Sequence, residues 1–235
     1  MTQSSTNKLL AAYSGLLTLS VAVLLFSGAK SEKSGRFDEL TVERLNIVES
    51  DGTYRIIMSN AERFRLAPVK NKFYPHPNRD SGGIFFLDAE GTEIGGLIYD
   101  GRKLEDGTIT AGGQLSFDRF FDDQITTIGA RESKHGTSSF MRFQQRKGAR
   151  DEHLVHIANR IESLPKSERE AAWEEFKRNH PIANRVDIVA GQDDAAYVSL
   201  RDPLGRERIK MQVEKTGKPS IVVLDETGKE TARFP

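Results

Sequence analysis

Short runs in which apolar and polar residues alternate recur along most of the chain, and glycine or acidic residues separate many of them. A period of two puts the apolar side chains of a β-strand on one face and its polar side chains on the other. The runs span residues 40–48, 54–59, 83–87, 94–99, 114–117, 124–129, 139–144, 186–191, 197–201, 208–213, 220–225 and 230–235. The pattern predicts a mainly β fold, an antiparallel meander or sandwich of hairpins in which each strand has one solvated face.

The apolar residues take helical spacing between residues 150 and 180. The first group is Leu154, Ile157, Ala158 and Ile161, and the second is Ala172, Trp173 and Phe176. Pro165 stands between the groups, and His180 precedes a proline, which drives it out of helical geometry. We therefore predict that a two-helix insertion at about residues 150–180 interrupts the strands.

A repeated turn motif separates several strands: an acidic residue, two further residues and a glycine. Its acidic and glycine positions are Glu49 and Gly52, Asp88 and Gly91, Asp202 and Gly205, and Asp225 and Gly228. An acidic side chain can accept backbone N–H hydrogen bonds at the start of a turn, and glycine tolerates the positive φ at its end. We assign these eight residues a structural role in hairpin turns.

The N-terminal region is continuously apolar instead of alternating. Residues 9–29 contain 21 consecutive positions without a charge. A helix of that length rises roughly 30 Å, which is close to the hydrocarbon thickness of a bilayer. The segment predicts a single transmembrane anchor in contact with lipid, after a short tail at residues 1–8 and before a tether at residues 30–36.

A cleaved signal peptide is the alternative interpretation of this region. Lys8 would be its positive residue, and Ser27-Gly28-Ala29 would be its cleavage site. The apolar core is longer than that of most signal peptides, which favours the anchor. We place the β-rich domain, residues 37–235, outside the cytoplasm in the periplasm, because the N-terminal tail is short and the apolar segment ends like a signal.

Charge and cysteine content exclude several classes of function. Lysine plus arginine and aspartate plus glutamate both number 34, so the whole chain has no basic field that would attract nucleic acid. The absence of cysteine excludes a disulfide framework, thiolate zinc ligands and a cysteine nucleophile.

Two groups of side chains were weighed as metal sites. His153 and His156 stand three residues apart on the predicted helix, but no third zinc ligand accompanies them. Asp118, Asp122 and Asp123 lack the alternating carboxylates and central glycine of a calcium loop. The sequence therefore predicts no metal, cofactor or catalytic residues.

Residues 64–80 are the most distinctive predicted loop, since they combine aromatic, basic and proline residues. This composition is typical of exposed recognition loops. The candidate contact residues are Lys70, Lys72, Phe73, Tyr74, His76 and Arg79. The alternative is an ordered connection whose aromatic side chains cover the core.

Several blocks of the sequence resemble a family of uncharacterised bacterial proteins. These blocks are FDELTVERLNIVESDGTYRIIMSNAERF, GGIFFLDAEGTEIGGLIYDGRK, GGQLSFDRFFDDQ and the closing segment from YVSLRDPLG to ETARFP. In that family an apolar N-terminal leader precedes similar blocks. The resemblance implies a bacterial envelope protein and no particular activity.

Our leading hypothesis is a membrane-anchored, non-enzymatic accessory or interaction subunit of a bacterial envelope complex. It would present its sheet edges and residues 64–80 to another membrane or envelope protein, because the sequence shows no convergent set of catalytic groups. A small-ligand or carbohydrate-binding module would instead use aromatic residues, namely Phe73, Tyr74, Phe85, Phe86 and Tyr99. An enzyme with catalytic residues scattered along the chain is the third possibility. A closed cleft with carboxylates or a histidine favours the enzyme, and a broad apolar patch favours the interaction subunit.

Overall fold

The computed structural model describes residues 3–27, 34–76, 79–148 and 151–235. They divide into two compact units, with the boundary between Thr41 and Val42. The first unit contains helix α1 (Gln3–Ser27). Within the described residues, no helix has both the length and the hydropathy that a membrane span requires. Residues 28–33, with the end of the predicted anchor and the start of the predicted tether, lie outside the described residues.

The described residues of the second unit form fourteen β-strands. In chain order they are β1 (Arg44–Val48), β2 (Tyr54–Ser59), β3 (Leu66–Val69), β4 (Lys72–Pro75), β5 (Gly82–Leu87), β6 (Glu93–Lys103), β7 (Ile109–Asp118), β8 (Gln124–Ser133), β9 (Gly136–Arg146), β10 (Ile182–Ala190), β11 (Ala196–Arg201), β12 (Glu207–Val213), β13 (Pro219–Leu224) and β14 (Glu230–Phe234). Twelve of them form one antiparallel meander in the order β1-β2-β5-β6-β7-β8-β9-β10-β11-β12-β13-β14. The prediction of a mainly β, antiparallel fold is confirmed.

Two insertions interrupt the meander. A 3₁₀ turn (Glu62–Phe64) and the separate β3–β4 hairpin lie between β2 and β5, and helices α2 (Leu154–Glu162) and α3 (Lys166–Asn179) lie between β9 and β10. The two insertions pack on each other, since Val155 of α2 joins Ala67 and Val69 of β3 in one buried cluster. Asn159 also donates a hydrogen bond of 3.0 Å to the carbonyl oxygen of Pro75.

The β3–β4 hairpin corrects the prediction of a loop at residues 64–80. Lys70 and Asn71 form its two-residue turn with φ values of 48° and 60°. Positive φ at both positions is the geometry that matches the twist of a tight hairpin. Pro68 and Pro75 are compatible with these strands, because a two-stranded ribbon can place a proline where no N–H is needed.

One face of the large sheet, which we call the outer face, carries an unbroken apolar row. Successive pairings across all twelve strands align Leu45, Met58, Ile84, Leu97, Leu115, Ile128, Met141, Ile188, Val198, Met211, Ile221 and Phe234. None of the twelve is buried, and Ile128, Ile188 and Phe234 are 42%, 44% and 54% exposed. The solvated face of the sheet therefore carries a continuous apolar row.

The opposite, inner face carries the buried residues. Its central row runs through Ile57, Phe85, Gly96, Ser116, Thr127, Arg142, Asp187, Ser199, Lys210 and Val222. Towards β2 the row joins an apolar core in which the rings of Phe64 and Phe85 stack, whereas towards β11 it is polar. Asp187 accepts hydrogen bonds of 2.6 Å from both Arg142 and Arg201. On the later strands, the long side chains of Arg142 and Arg201 thus lie over small or buried neighbours such as Ser199.

The acidic and glycine residues of the repeated motif occupy the hairpin turns. In each copy the glycine N–H donates to the carbonyl oxygen of the acidic residue, at 2.9 to 3.2 Å. Gly52, Gly91, Gly205 and Gly228 all have φ between 74° and 89°. The side chains of Asp88, Asp202 and Asp225 each accept two backbone N–H bonds within the turn. In the first copy the side chain of Asp51, and not that of Glu49, accepts such a bond, from Thr53.

Candidate functional site

A cavity of about 650 Å³ is bounded by the inner face of the sheet and by residues of both insertions. Its volume is in the range that small-molecule sites occupy. Its apolar wall includes Phe85, Ile98, Leu154, Trp173 and Phe176. Its polar wall includes His76, Arg79, Gln114, Glu93, Asp118, Asp122, Asp123, Arg146 and His153. The cavity therefore combines an apolar side with a concentration of ionisable groups.

Arg79 and Glu93 form a nearly buried ion pair in the cavity wall. One guanidinium nitrogen of Arg79 donates to both carboxylate oxygens of Glu93, at 2.8 and 3.0 Å. The Arg79 guanidinium also lies over the Phe85 ring, 4.1 Å from its centroid. Burial raises the pKa of Glu93, while the charge and hydrogen bonds of Arg79 oppose that rise. The pair is thus held in place by contacts on both sides.

Arg146 at the end of β9 neutralises two carboxylates of the β7–β8 turn. Its two terminal nitrogens lie 3.1 Å from Asp122 and 3.2 Å from Asp123, and its Nε donates to the carbonyl oxygen of Gln124. The Asp122 side chain is fully buried, and Arg119 approaches its other oxygen at 3.5 Å. These contacts tie the turn to β9 and leave Arg146 fully engaged.

Asp118 differs from the other carboxylates of the cavity. Its Oδ1 is buried and has no hydrogen-bond partner. Burial raises the pKa of Asp118 to about 7, and the nearby negative charges of Glu93 and Asp123 add to the effect. A carboxyl group in this position exchanges between its neutral and charged forms close to neutral pH.

Two histidines of the cavity are kept neutral. His153 caps α2, because its Nδ1 accepts a 3.1 Å hydrogen bond from the N–H of Val155. The pKa of His153 and that of His76 are lowered to about 4, mainly by burial, with smaller contributions from the positive charges of His156 on His153 and of Arg79 on both. With Nδ1 acting as an acceptor, the neutral His153 ring carries its proton on Nε2.

The residues weighed as metal ligands are placed for other roles. His153 uses Nδ1 as a helix cap, and the ring of His156 packs edge-on against Tyr74 at 4.3 Å. Asp122 and Asp123 pair with Arg146. Among the described residues, no three histidine or acidic side chains are grouped so that they could hold a metal ion.

The six candidate contact residues of the 64–80 segment separate into two groups. Lys70 and Lys72 are exposed on the β3–β4 hairpin. Phe73 packs on the core and contacts Tyr54, Tyr74 packs on the cluster beneath the hairpin, and His76 and Arg79 line the cavity. Residues 77 and 78 lie outside the described residues. That this segment contacts a partner stays a prediction, and of the six candidate contact residues Lys70 and Lys72 are the exposed ones.

Sequence reasoning missed Glu93, Asp118 and Arg146 as members of one site. They lie on three different strands, β6, β7 and β9, and only the sheet register brings them to the same cavity. One signal is present in the sequence, since Asp118, Asp122 and Asp123 form a local acidic cluster. The cluster alone does not reveal the site, because the arginine that neutralises Asp122 and Asp123 is more than twenty residues away.

No protein-family model matches the sequence, and no curated protein matches it either. The function therefore has to be inferred from the cavity and the outer face of the sheet.

Proposed function

We propose that the protein is a membrane-tethered, non-enzymatic subunit that assembles with other chains at a bacterial membrane through the outer face of its sheet. The observation that carries the proposal is the apolar row that crosses all twelve strands. Contiguous exposed apolar surface of this extent is typical of a protein interface. The row contains no charged residue, so a partner could cover it without stranding a buried charge.

The first partner that we propose is a second copy of this chain. At the usual distance between neighbouring strands, twelve strands extend over roughly 50 Å. If the apolar strip along the row is about 15 Å wide, its area is roughly 800 Å² per chain, which is what one partner contributes to a standard interface. Two such faces can pack at the separation usual for stacked sheets and be related by a twofold axis. An apolar, uncharged face is complementary to itself, and this favours a like partner over a charged one.

The proposed tether is the uncharged segment at residues 9–29. The large apolar side chains described in α1 are exposed, including Leu9, Leu10, Leu16, Leu17 and Leu19, and such exposure is expected of a helix whose surroundings are lipid. In this arrangement the β-rich domain lies on the periplasmic side. Extraction of native membranes with alkaline carbonate checks the tether, since release of the full-length protein into the supernatant would contradict it.

Light scattering coupled to gel filtration tests the proposed interface with the full-length protein in mild detergent. We expect the native chain to elute as a dimer and Ile188→Glu to elute as a monomer, because a charge would be buried in the centre of the interface. Ile188 is 44% exposed, so the isolated domain should tolerate the change.

Lys134→Glu is the matched control, since it adds the same carboxylate to the exposed β8–β9 turn. It should remain a dimer. A native chain that stays monomeric at high concentration, or an Ile188→Glu dimer as strong as the native one, would rule out the outer face as the interface.

A further inference from the structure

We propose that the cavity is a binding site for a small organic cation, in which an ammonium group pairs with Asp118 and an apolar body lies against Trp173 and Phe176. This inference is independent of the proposed assembly, because the cavity borders the inner face of the sheet and the interface is on the outer face.

The charges of the cavity wall identify the sign of the ligand. Both buried arginines are engaged, Arg79 by Glu93 and Arg146 by Asp122 and Asp123. At the helical end, Glu162 pairs with Arg169, and Lys177 pairs with Glu174. Among the described residues, Asp118 is the lining carboxylate without an ion pair, and its buried Oδ1 has no hydrogen-bond partner, although Ser116 donates a hydrogen bond to the side chain. An anionic ligand would meet arginines that are already neutralised, whereas a cation would supply what Asp118 lacks.

The apolar wall argues for an organic cation and against a simple metal ion. Phe85, Ile98 and Leu154 line the cavity together with Trp173 and Phe176. Aromatic faces attract alkylammonium groups and also cover hydrocarbon. The Trp173 indole is fixed by a 3.1 Å hydrogen bond from its Nε1 to Glu162, so one wall of the site is preorganised.

The ionisable groups are better suited to binding than to acid–base catalysis. His153 uses Nδ1 to cap α2, and burial keeps its ring neutral. The carboxylates of Glu93, Asp122 and Asp123 are held by arginines. Asp118 is largely buried and is not held by an arginine ion pair among the described residues, and burial is the main reason that the pKa of its carboxyl is raised.

Three probes with the same body and different charges test the proposal: 4-phenylbutylamine, 4-phenylbutanol and 4-phenylbutyrate. Binding is measured by titration calorimetry at pH 8 on the full-length protein in nanodiscs of zwitterionic lipid, with empty nanodiscs as the blank. We expect the amine to bind at least about tenfold more tightly than the alcohol, because a charge-assisted hydrogen bond forms away from water. The carboxylate should bind more weakly than either.

Asp118→Asn keeps the shape of the side chain and removes its charge. We expect this variant to lose the preference for the amine while it still binds the alcohol. Asp194→Asn removes a carboxylate from the exposed β10–β11 turn and should bind all three probes like the native protein. Equal binding of amine and alcohol by the native protein, preference for the carboxylate, or no binding of any probe would each overturn the proposal without recourse to a variant.

Discussion

At the scale of single residues, the cavity contains groups whose folded-state pKa values move in opposite directions. Asp118 has its pKa raised to about 7, so its contribution to stability is present at low pH and is lost as pH rises towards 7. His153 has its pKa lowered to about 4, so its contribution is present above about 6.5 and is lost as pH falls towards 4. Between about pH 4 and pH 6.5 the two effects have opposite slopes, so they largely offset each other in the free energy of unfolding.

His153→Asn isolates the histidine part of this behaviour. Asparagine can still cap α2 but does not titrate. Between pH 7 and pH 4.5 the free energy of unfolding should therefore fall by about 1 to 3 kcal/mol less in the variant than in the native protein. The charged or titratable neighbours that act on His153, namely His156, Asp122, His76 and Arg79, are unchanged in the variant. Urea unfolding at the two pH values measures the difference.

His135→Asn is the control, since His135 is exposed in the β8–β9 turn. It should follow the native pH dependence. If His153→Asn is as acid-sensitive as the native protein, burial of His153 does not cause the loss.

At the scale of elements, the hairpin turns depend on backbone geometry as much as on hydrogen bonds. Gly228 has φ of 82°, and a Cβ placed there would meet no other atom within 4 Å. Any cost of a side chain at this position therefore comes from the left-handed backbone and not from a clash. The acidic-x-x-glycine pattern recurs in four hairpins, and Gly52 has the same open surroundings as Gly228, whereas a Cβ at Gly91 would meet Asn71 at 3.0 Å.

Gly228→Ala should destabilise the β13–β14 hairpin by about 1 kcal/mol, whereas Gly228→Asn should cost clearly less, because asparagine tolerates positive φ. Both variants add a side chain to the same open space. Denaturant unfolding of the two variants provides the measurement. Equal losses for alanine and asparagine would show that backbone strain is not the reason for glycine here.

At the scale of the whole domain, each strand of the meander pairs only with its neighbours in the sheet. The two insertions supply most of the packing against the inner face of the sheet. Residues from β5 to β9 border the cavity together with both insertions, whereas the pocket wall includes no residue of β11 to β14. Each end of such an array has one pairing partner fewer than the centre. Stability should therefore decrease from the covered strands towards the edges.

Native-state hydrogen exchange followed by mass spectrometry tests this gradient. We expect amides of β6 to β8 to exchange most slowly and those of β13 and β14 to exchange fastest among the paired strands. In the dimer the gradient should persist, because the proposed interface covers all twelve strands alike. Uniform protection from β2 to β14 would mean that the domain opens only as a whole.

The sequence by itself determined the strands, the turns and the helical insertion of this protein, because each depends on residues that are close together in the chain. Strand β2 was predicted at residues 54–59 and observed as Tyr54–Ser59, and the acidic and glycine positions occupy tight turns. The β3–β4 hairpin was missed because its prolines weaken the local signal for strands.

Only the tertiary structure decided which face of the sheet is covered and which ionisable groups share the cavity. Alternation assigns residues to two faces but does not say which face is buried, and here the exposed face carries an unbroken apolar row. Arg142 and Asp187 are 45 positions apart, and Glu93, Asp118 and Arg146 lie on separate strands. Their proximity depends on strand register and on where the insertions fold back, and local sequence patterns specify neither.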